Sequence, residues 1–270
     1  MIDIFGNEPI DLTKIVCHSG GAEGSDTVWE NKGANYGVKT RAYSYKTKYH
    51  TTENKVEISD TDYEEGVKAI QLANRSLNRY GIHRFMNLLA RNWAQVKYSD
   101  EVFAIGTIVP AGKKGSKGFY NKSQFEVVDG GTGYAVQMAI DNTKTVYVFD
   151  QEKDKWFRWS YTSLSFRELK GTPVITTENF AGIGTREIKP NGILAIEEVY
   201  NMNPTDRTNN GLLGRDWVMS EEAKMNAEMM CSNFVEHTTE AFNKFTKRKS
   251  FELIKTEKTP RKKLLHKLVY

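Results

Sequence analysis

The chain has 270 residues, 39% of them hydrophobic and 11% aromatic, and a net charge of +4. That composition excludes wholesale disorder, and the length allows one large or two small domains. No run approaches the ~20 apolar residues of a membrane-spanning helix, and MIDIFGNEPIDL at the start carries neither a basic leader nor an apolar signal core; a cytoplasmic protein without membrane contact is expected.

Along the chain, LTKIVCHSG (12–20) reads as a buried strand ending in glycine. SDTVWENKGANYG reads as the helix after it, with Ser25 or Asp26 available as N-cap. GVKTRAYSY (37–45) fits a second strand. TDYEEGVKAIQLANRSLNR (61–79) places Val67, Ile70, Ala73 and Leu77 at near-helical spacing behind the cap candidates Thr61 and Asp62. HRFMNLLARNWAQV continues as helix, and SDEVFAIGTIV (99–109) is a third strand. PAGKKGSKGFYNKSQF, with three glycines and four lysines and no periodicity, is a surface loop or hairpin. EVVDGGTGYAVQMAIDN then repeats the run from apolar residues through glycines into a helix. KTVYVFDQ (144–151) is a strand, WFRWSYTSLSFREL a strand or two, and TPVITTENFAGIGTREIKPNGILAIEEVY a last strand, glycine turn and helix. Strands alternating with helices predict an α/β fold, a Rossmann-like, mostly parallel sheet with helices on both faces.

Three glycine turns at the carboxyl ends of predicted strands suit a phosphate-bearing ligand, because helix N-termini there offer unpaired N–H groups and glycine lets the backbone come close. The first holds Gly20, Gly21, Gly24, Ser25 and Asp26; the second Asp129, Gly130, Gly131, Thr132 and Gly133; the third Gly182, Gly184, Thr185, Arg186 and Glu187. Arg91 and Asn92 are further candidates, Arg91 as a charge partner for phosphate. Neither the G-x-G-x-x-G dinucleotide fingerprint at the first turn nor a P-loop is present. His18, one residue before the first turn, is an acid-base candidate but reads better as a packing residue, and so do Trp156, Phe157 and Trp159. No His, Cys and Asp grouping has metal-ligand spacing, so neither a metal nor a cofactor is expected; Cys17 and Cys231 read as reduced buried thiols.

SGGAEGSD (19–26), DGGTGYAVQMA (129–139) and RNWAQVKYSDEVFAIG (91–106) between them resemble the SLOG superfamily, the Rossmann-like domains of Smf/DprA, the LOG phosphoribohydrolases and the molybdenum-cofactor carriers. The resemblance covers roughly residues 12–150, reaching 200 if FAGIGTRE shares the site. It implies one domain that binds a nucleotide or nucleotide-derived ligand at its strand ends. In the LOG enzymes a catalytic Glu follows the second turn. Gln137 stands at that position and can hydrogen-bond a ribose but neither carries charge nor acts as a base.

The expected organisation is a nucleotide-binding domain over 1–200, a turn-rich linker over 201–218 and a helical, basic extension over 219–270. MSEEAKMNAEMMCSNFVEHTTEAFNKFTKR (219–248) is a methionine-rich helix candidate that could lie on the sheet domain or join a neighbouring subunit in a homo-oligomer. From Lys244 to Tyr270 eight Lys and two Arg stand against Glu252 and Glu257, a surplus of eight positive charges out of +4 overall. Such a tail could touch nucleic acid, though a solvated helix or a docking arm is the blander reading. Two functions follow. The first is a sensor or sequestering protein for an ADP-ribose-type or cyclic nucleotide. The second is an enzyme at the N-glycosidic bond, a phosphoribohydrolase or deoxyribosyltransferase, for which Glu187, Asp129 and Asp26 are the available carboxylates.

Overall fold

The computed structural model describes residues 11–45, 50, 52–116 and 118–201. The linker from residue 202 onward, the methionine-rich helix, the basic tail and Cys231 lie outside the described residues. An eight-stranded sheet is ordered β3-β2-β1-β10-β4-β7-β8-β9, with β1 Val16–Ser19, β2 Lys39–Ser44, β3 Lys55–Glu57, β4 Glu101–Gly106, β7 Thr145–Asp150, β8 Lys155–Ser160, β9 Ser165–Glu168 and β10 Asn179–Gly184. The first six in that order pair in parallel; β8 and β9 add an antiparallel edge. This is the α/β, mostly parallel sheet that the alternation of strands and helices predicts.

Helices cover both faces. On one side α1 (Ser25–Asn35) and α5 (Pro190–Asn201) pack with Cys17, Phe103, Phe180 and Ile105. Trp29 of α1 is fully buried among Phe103, Phe180 and Tyr200, at ring-centre separations of 6.1, 5.8 and 5.6 Å. Its indole N–H donates to Ile183 O at 3.2 Å, so the ring is buried without leaving a polar group unpaired. On the other side α2 (Asp60–Leu77), α3 (Met86–Lys97) and α4 (Thr132–Asp141) pack Ile70, Leu89, Ala90 and Met138 against Val102, Ala181 and Val148.

Local chemistry sets the helix ends. Ser59 caps α2, its hydroxyl accepting from the Asp62 N–H at 3.0 Å, in place of the expected Thr61 or Asp62. Those two sit two and three residues too far along: a cap needs extended backbone, which Ser59 has, and the helix has already begun at Asp60. Similarly, α1 begins at Ser25 with Gly24 at the cap position, so neither Ser25 nor Asp26 caps it.

Two segments depart from the linear reading. The strand of 12–20 is shorter than expected, because Leu12–Lys14 forms a 3-10 turn capped by Asp11. The second glycine turn follows β6 (Val127–Val128), which pairs antiparallel with β5 (Ile108–Val109) outside the main sheet rather than forming a parallel strand. Two residues are too few to cross the sheet, so β5 and β6 make a small hairpin on the end of β4. Within the excursion between them, backbone pairing of Lys114 with Tyr120 gives the hairpin alternative rather than an open loop.

Sheet order fixes where a ligand could sit. From β1 the chain runs outward to β2 and β3, from β4 it runs the opposite way to β7, and β10 returns to fill the gap between β1 and β4. The carboxyl ends of β1, β10 and β4 therefore border the place where the winding reverses, which is where open α/β sheets leave a crevice.

Candidate functional site at the strand ends

The first and third glycine turns meet at that crevice. Ser25 donates to Thr185 O from its N–H at 3.0 Å and from its hydroxyl at 2.8 Å, and Thr185 N–H donates to Ile105 O at 3.0 Å. Gly24, with φ +103°, brings the α1 start so close to the third turn that a Cβ there would sit 2.5 Å from Arg186 Cα and 2.7 Å from Thr185 O. Both the backbone angle and the contact demand glycine. A Cβ on Gly20 would overlap the Arg91 guanidinium and the Asp26 carboxylate. Glycine there is what admits the ion pair against the turn.

That pair is Arg91 Nη1 to Asp26 Oδ2, 3.4 Å apart with both side chains buried. Burial pushes the Asp26 carboxyl above its ordinary value, while Arg91 and the N–H groups of Ala22 and Gly184 draw it back. Burial likewise lowers the Arg91 guanidinium against the pull of Asp26, and Arg186 nearby lowers it further. Arginine keeps its charge in such settings, so two guanidiniums stand near the first turn, and the carboxylate of Asp26 pairs with Arg91. Arg186 is exposed and forms no ion pair among the described residues. His50 stands beside them as an imidazole: its Nε2 is buried, has no hydrogen-bond partner among the described residues and abuts Gly21, and burial, Arg91 and Lys55 hold its pKa below the usual histidine value.

The second turn reaches the same end of the sheet through the β5–β6 hairpin. Asp129 N–H donates to Thr107 O at 3.0 Å, and the Asp129 carboxylate accepts from Gly130 N–H at 2.8 Å and Ser116 Oγ at 3.2 Å. Arg79 fixes the turn from the α2–α3 connection, donating to Gly130 O at 2.9 Å and Val128 O at 3.0 Å. Gly131 stands at the cap position of α4 with no side-chain bond closing the helix end, and Thr132 and Gly133 open the helix. A cavity of about 150 Å³ joins this turn to the third: Thr107, Ser116, Asp129, Gln151, Glu152, Thr185, Glu187 and Lys189 line it. Gln151 is held there by Lys189 N–H at 2.6 Å and by donating to Glu187 O at 3.3 Å. A larger cavity, about 520 Å³, lies between α5 and the β8–β9 edge, but it is away from the glycine turns, and Lys155 pairs with Glu168 there at 2.6 Å and Asn191 donates to Asp154 at 2.9 Å.

Of the candidates read from the sequence, Gly20, Gly21, Gly24, Ser25, Asp26, Arg91, Gly184, Thr185 and Arg186 come together around the β1 and β10 ends. Asp129 and Glu187 share the smaller cavity. Ser25 and Asp26 are spent on tying the turns, and neither offers an open group. Asn92 is buried on α3 with 9% of its surface exposed. Gln137 is turned away: its amide donates to Asp141 Oδ1 at 2.8 Å, one turn further along α4. His18 has both ring nitrogens engaged, by Tyr43 Oη at 3.0 Å and Asn179 Oδ1 at 3.1 Å, and stacks on Tyr43. Trp156, Phe157 and Trp159 are core residues. Sequence reasoning missed His50, Arg79 and Gln151. Gln151 alone had a signal, as the residue following a parallel strand. Among the described residues no His, Cys, Asp and Glu cluster could hold a metal ion, and no helix is long and apolar enough to cross a membrane.

Comparison with protein-family models, with curated proteins and with solved structures finds no match to this chain.

Proposed function

We propose that the crevice at the ends of β1, β10 and β4 holds a nucleotide or nucleotide-derived ligand of the ADP-ribose or cyclic-nucleotide kind, and that the chain senses or sequesters it as a SLOG-type protein. The observation that carries this reading is the meeting of the first and third glycine turns at the start of α1 with Arg91, Arg186 and His50 gathered around them. A helix start without a side-chain cap has N–H groups to offer, and two guanidiniums, of which only Arg91 pairs with the carboxylate of Asp26, leave positive charge for a phosphate. Arg186, exposed and unpaired among the described residues, is the group that closes on the anion. Arg91, held by Asp26, sets the field behind it. The sugar and base of the same ligand would extend toward the cavity lined by Thr107, Asp129 and Thr185, where acceptors for hydroxyl groups are plentiful.

Binding is favoured over turnover because the position that LOG enzymes fill with a catalytic Glu is a glutamine engaged with Asp141. One observation favours the second reading, N-glycosidic cleavage: Asp129 and Glu187 line the same cavity. In that reading one carboxylate would stabilise the oxocarbenium-like sugar and the other activate water.

Equilibrium dialysis of the full chain with ADP-ribose as probe tests the proposal. Retention by the wild type and its loss in Arg186→Glu, with the urea midpoint unchanged, is the expected result. Equal retention by both proteins would remove the crevice from the account.

A further inference from the structure

Between β5 and β6 the chain folds into a finger. Asn121 N–H donates to Lys113 O at 2.8 Å, Gly112 N–H to Asn121 O at 3.0 Å and Gly115 N–H to Phe119 O at 2.7 Å. The finger's base is pinned by the buried Asn121 side chain, whose amide donates to Val109 O at 2.9 Å and Phe125 O at 2.8 Å. The α2–α3 connection lies alongside: Asn78 donates to Lys122 O at 3.2 Å, and the Arg79 guanidinium stands 5.8 Å from the Phe119 ring centre. This segment is held in place, yet it leaves Phe119 58%, Tyr120 57% and the neighbouring Tyr80 76% exposed. Two large aromatic rings left in water on the finger, with a third on the α2–α3 connection that bonds to it, are a contact surface rather than incidental exposure.

The charge on the same element is one-sided. Lys113, Lys114 and Lys122 are exposed and form no ion pair among the described residues, and the acid of the segment, Glu126, accepts from Phe166 N–H at 2.9 Å. Exposed ammonium groups and open aromatic faces on one element match a polyphosphate chain whose bases are unstacked. The lysines meet phosphates and the rings take bases, a pairing that a duplex with its bases stacked inside cannot use. We infer that the finger, with Tyr80 beside it, is a docking surface for single-stranded nucleic acid. It uses residues outside the crevice and stands whether or not the crevice holds a nucleotide.

Fluorescence anisotropy with a labelled oligothymidylate of about 20 nucleotides, long enough for one site, tests this on the full chain across a salt series. The wild type binds the single strand more tightly than a duplex of the same length. Phe119→Ala with Tyr120→Ala weakens the single strand about tenfold or more and leaves the duplex unchanged. Lys113→Glu with Lys114→Glu weakens both and flattens the salt dependence. All four side chains are exposed, so circular dichroism and the urea midpoint stay at wild-type values. Absence of binding by the wild type overturns the inference, as does binding that both double variants retain in full. Loss confined to phosphatidylserine vesicles, with the oligonucleotide unaffected, overturns it in favour of a membrane surface.

Discussion

Ser25 ties the first glycine turn to the third by giving both its N–H and its hydroxyl to the carbonyl of Thr185, at 3.0 and 2.8 Å. Removing only the hydroxyl, in Ser25→Ala, leaves the backbone bond and costs about 1 kcal/mol of stability. Gly24→Val is expected to be much worse, because it needs φ near +103° and puts a branched side chain into Arg186 backbone. Urea unfolding of the two variants checks the order; equal losses would mean the turns are not packed as described.

Asp26 and Arg91 are expected to be unequal partners. Asp26→Ala leaves a buried guanidinium that cannot shed its charge, and the loss should be about 3–5 kcal/mol. Arg91→Met leaves a carboxyl that can take a proton, so its loss at neutral pH should be smaller. In that variant burial raises the Asp26 pKa in the folded state with no cation to oppose it. Stability is then greatest below the unfolded carboxyl value of about 3.8 and falls as pH rises through the folded one. Unfolding free energies from pH 4 to 8 measure both effects.

Asp141 is pushed up to about 6 by burial, against hydrogen bonds from Gln137 and Ser76. A raised carboxyl pKa stabilises the fold most below the unfolded value and loses that contribution as pH rises from about 3.8 past 6. Asp141→Asn should therefore flatten the pH dependence in that window and gain up to about 3 kcal/mol at pH 8, the equivalent of the shift. Gln137→Glu does the reverse: it sets a second carboxylate against Asp141, lowers stability at neutral pH and leaves ligand retention as it was.

Cys17 is fully buried and its thiol is pushed up to about 12, chiefly by burial. In a Cys231→Ser background the native protein should react with a disulfide reagent only as fast as it unfolds. Prompt labelling would show that β1 is open to solvent.

The fold was legible where one element follows another. The βα units from Val16 to Ser44 and from Asn179 to Asn201 carry their apolar runs, glycines and helical spacing in order. What local pattern lacks is spatial order: nothing in the sequence puts β10 between β1 and β4, yet that insertion is what brings Thr185 against Ser25. The second glycine turn misled for the same reason, because Val127–Val128 reads like any short apolar strand and its antiparallel partner, Ile108–Val109, lies 18 residues away across a polar finger. At the site the glycines were visible because backbone crowding leaves few alternatives. Partners set by long-range packing were not: Arg91 on Gly20 and His50 on Gly21 depend on which distant segments meet at the strand ends.

The most direct test of the central claim is mass spectrometry of the full chain after incubation with NAD, ADP-ribose, cyclic ADP-ribose isomers, AMP and deoxynucleoside monophosphates, reading retained and free fractions together. The account predicts one ligand retained intact, released on denaturation and absent from Arg186→Glu. Retention of none of them, or a free base with its sugar phosphate accumulating in the free fraction, would contradict it.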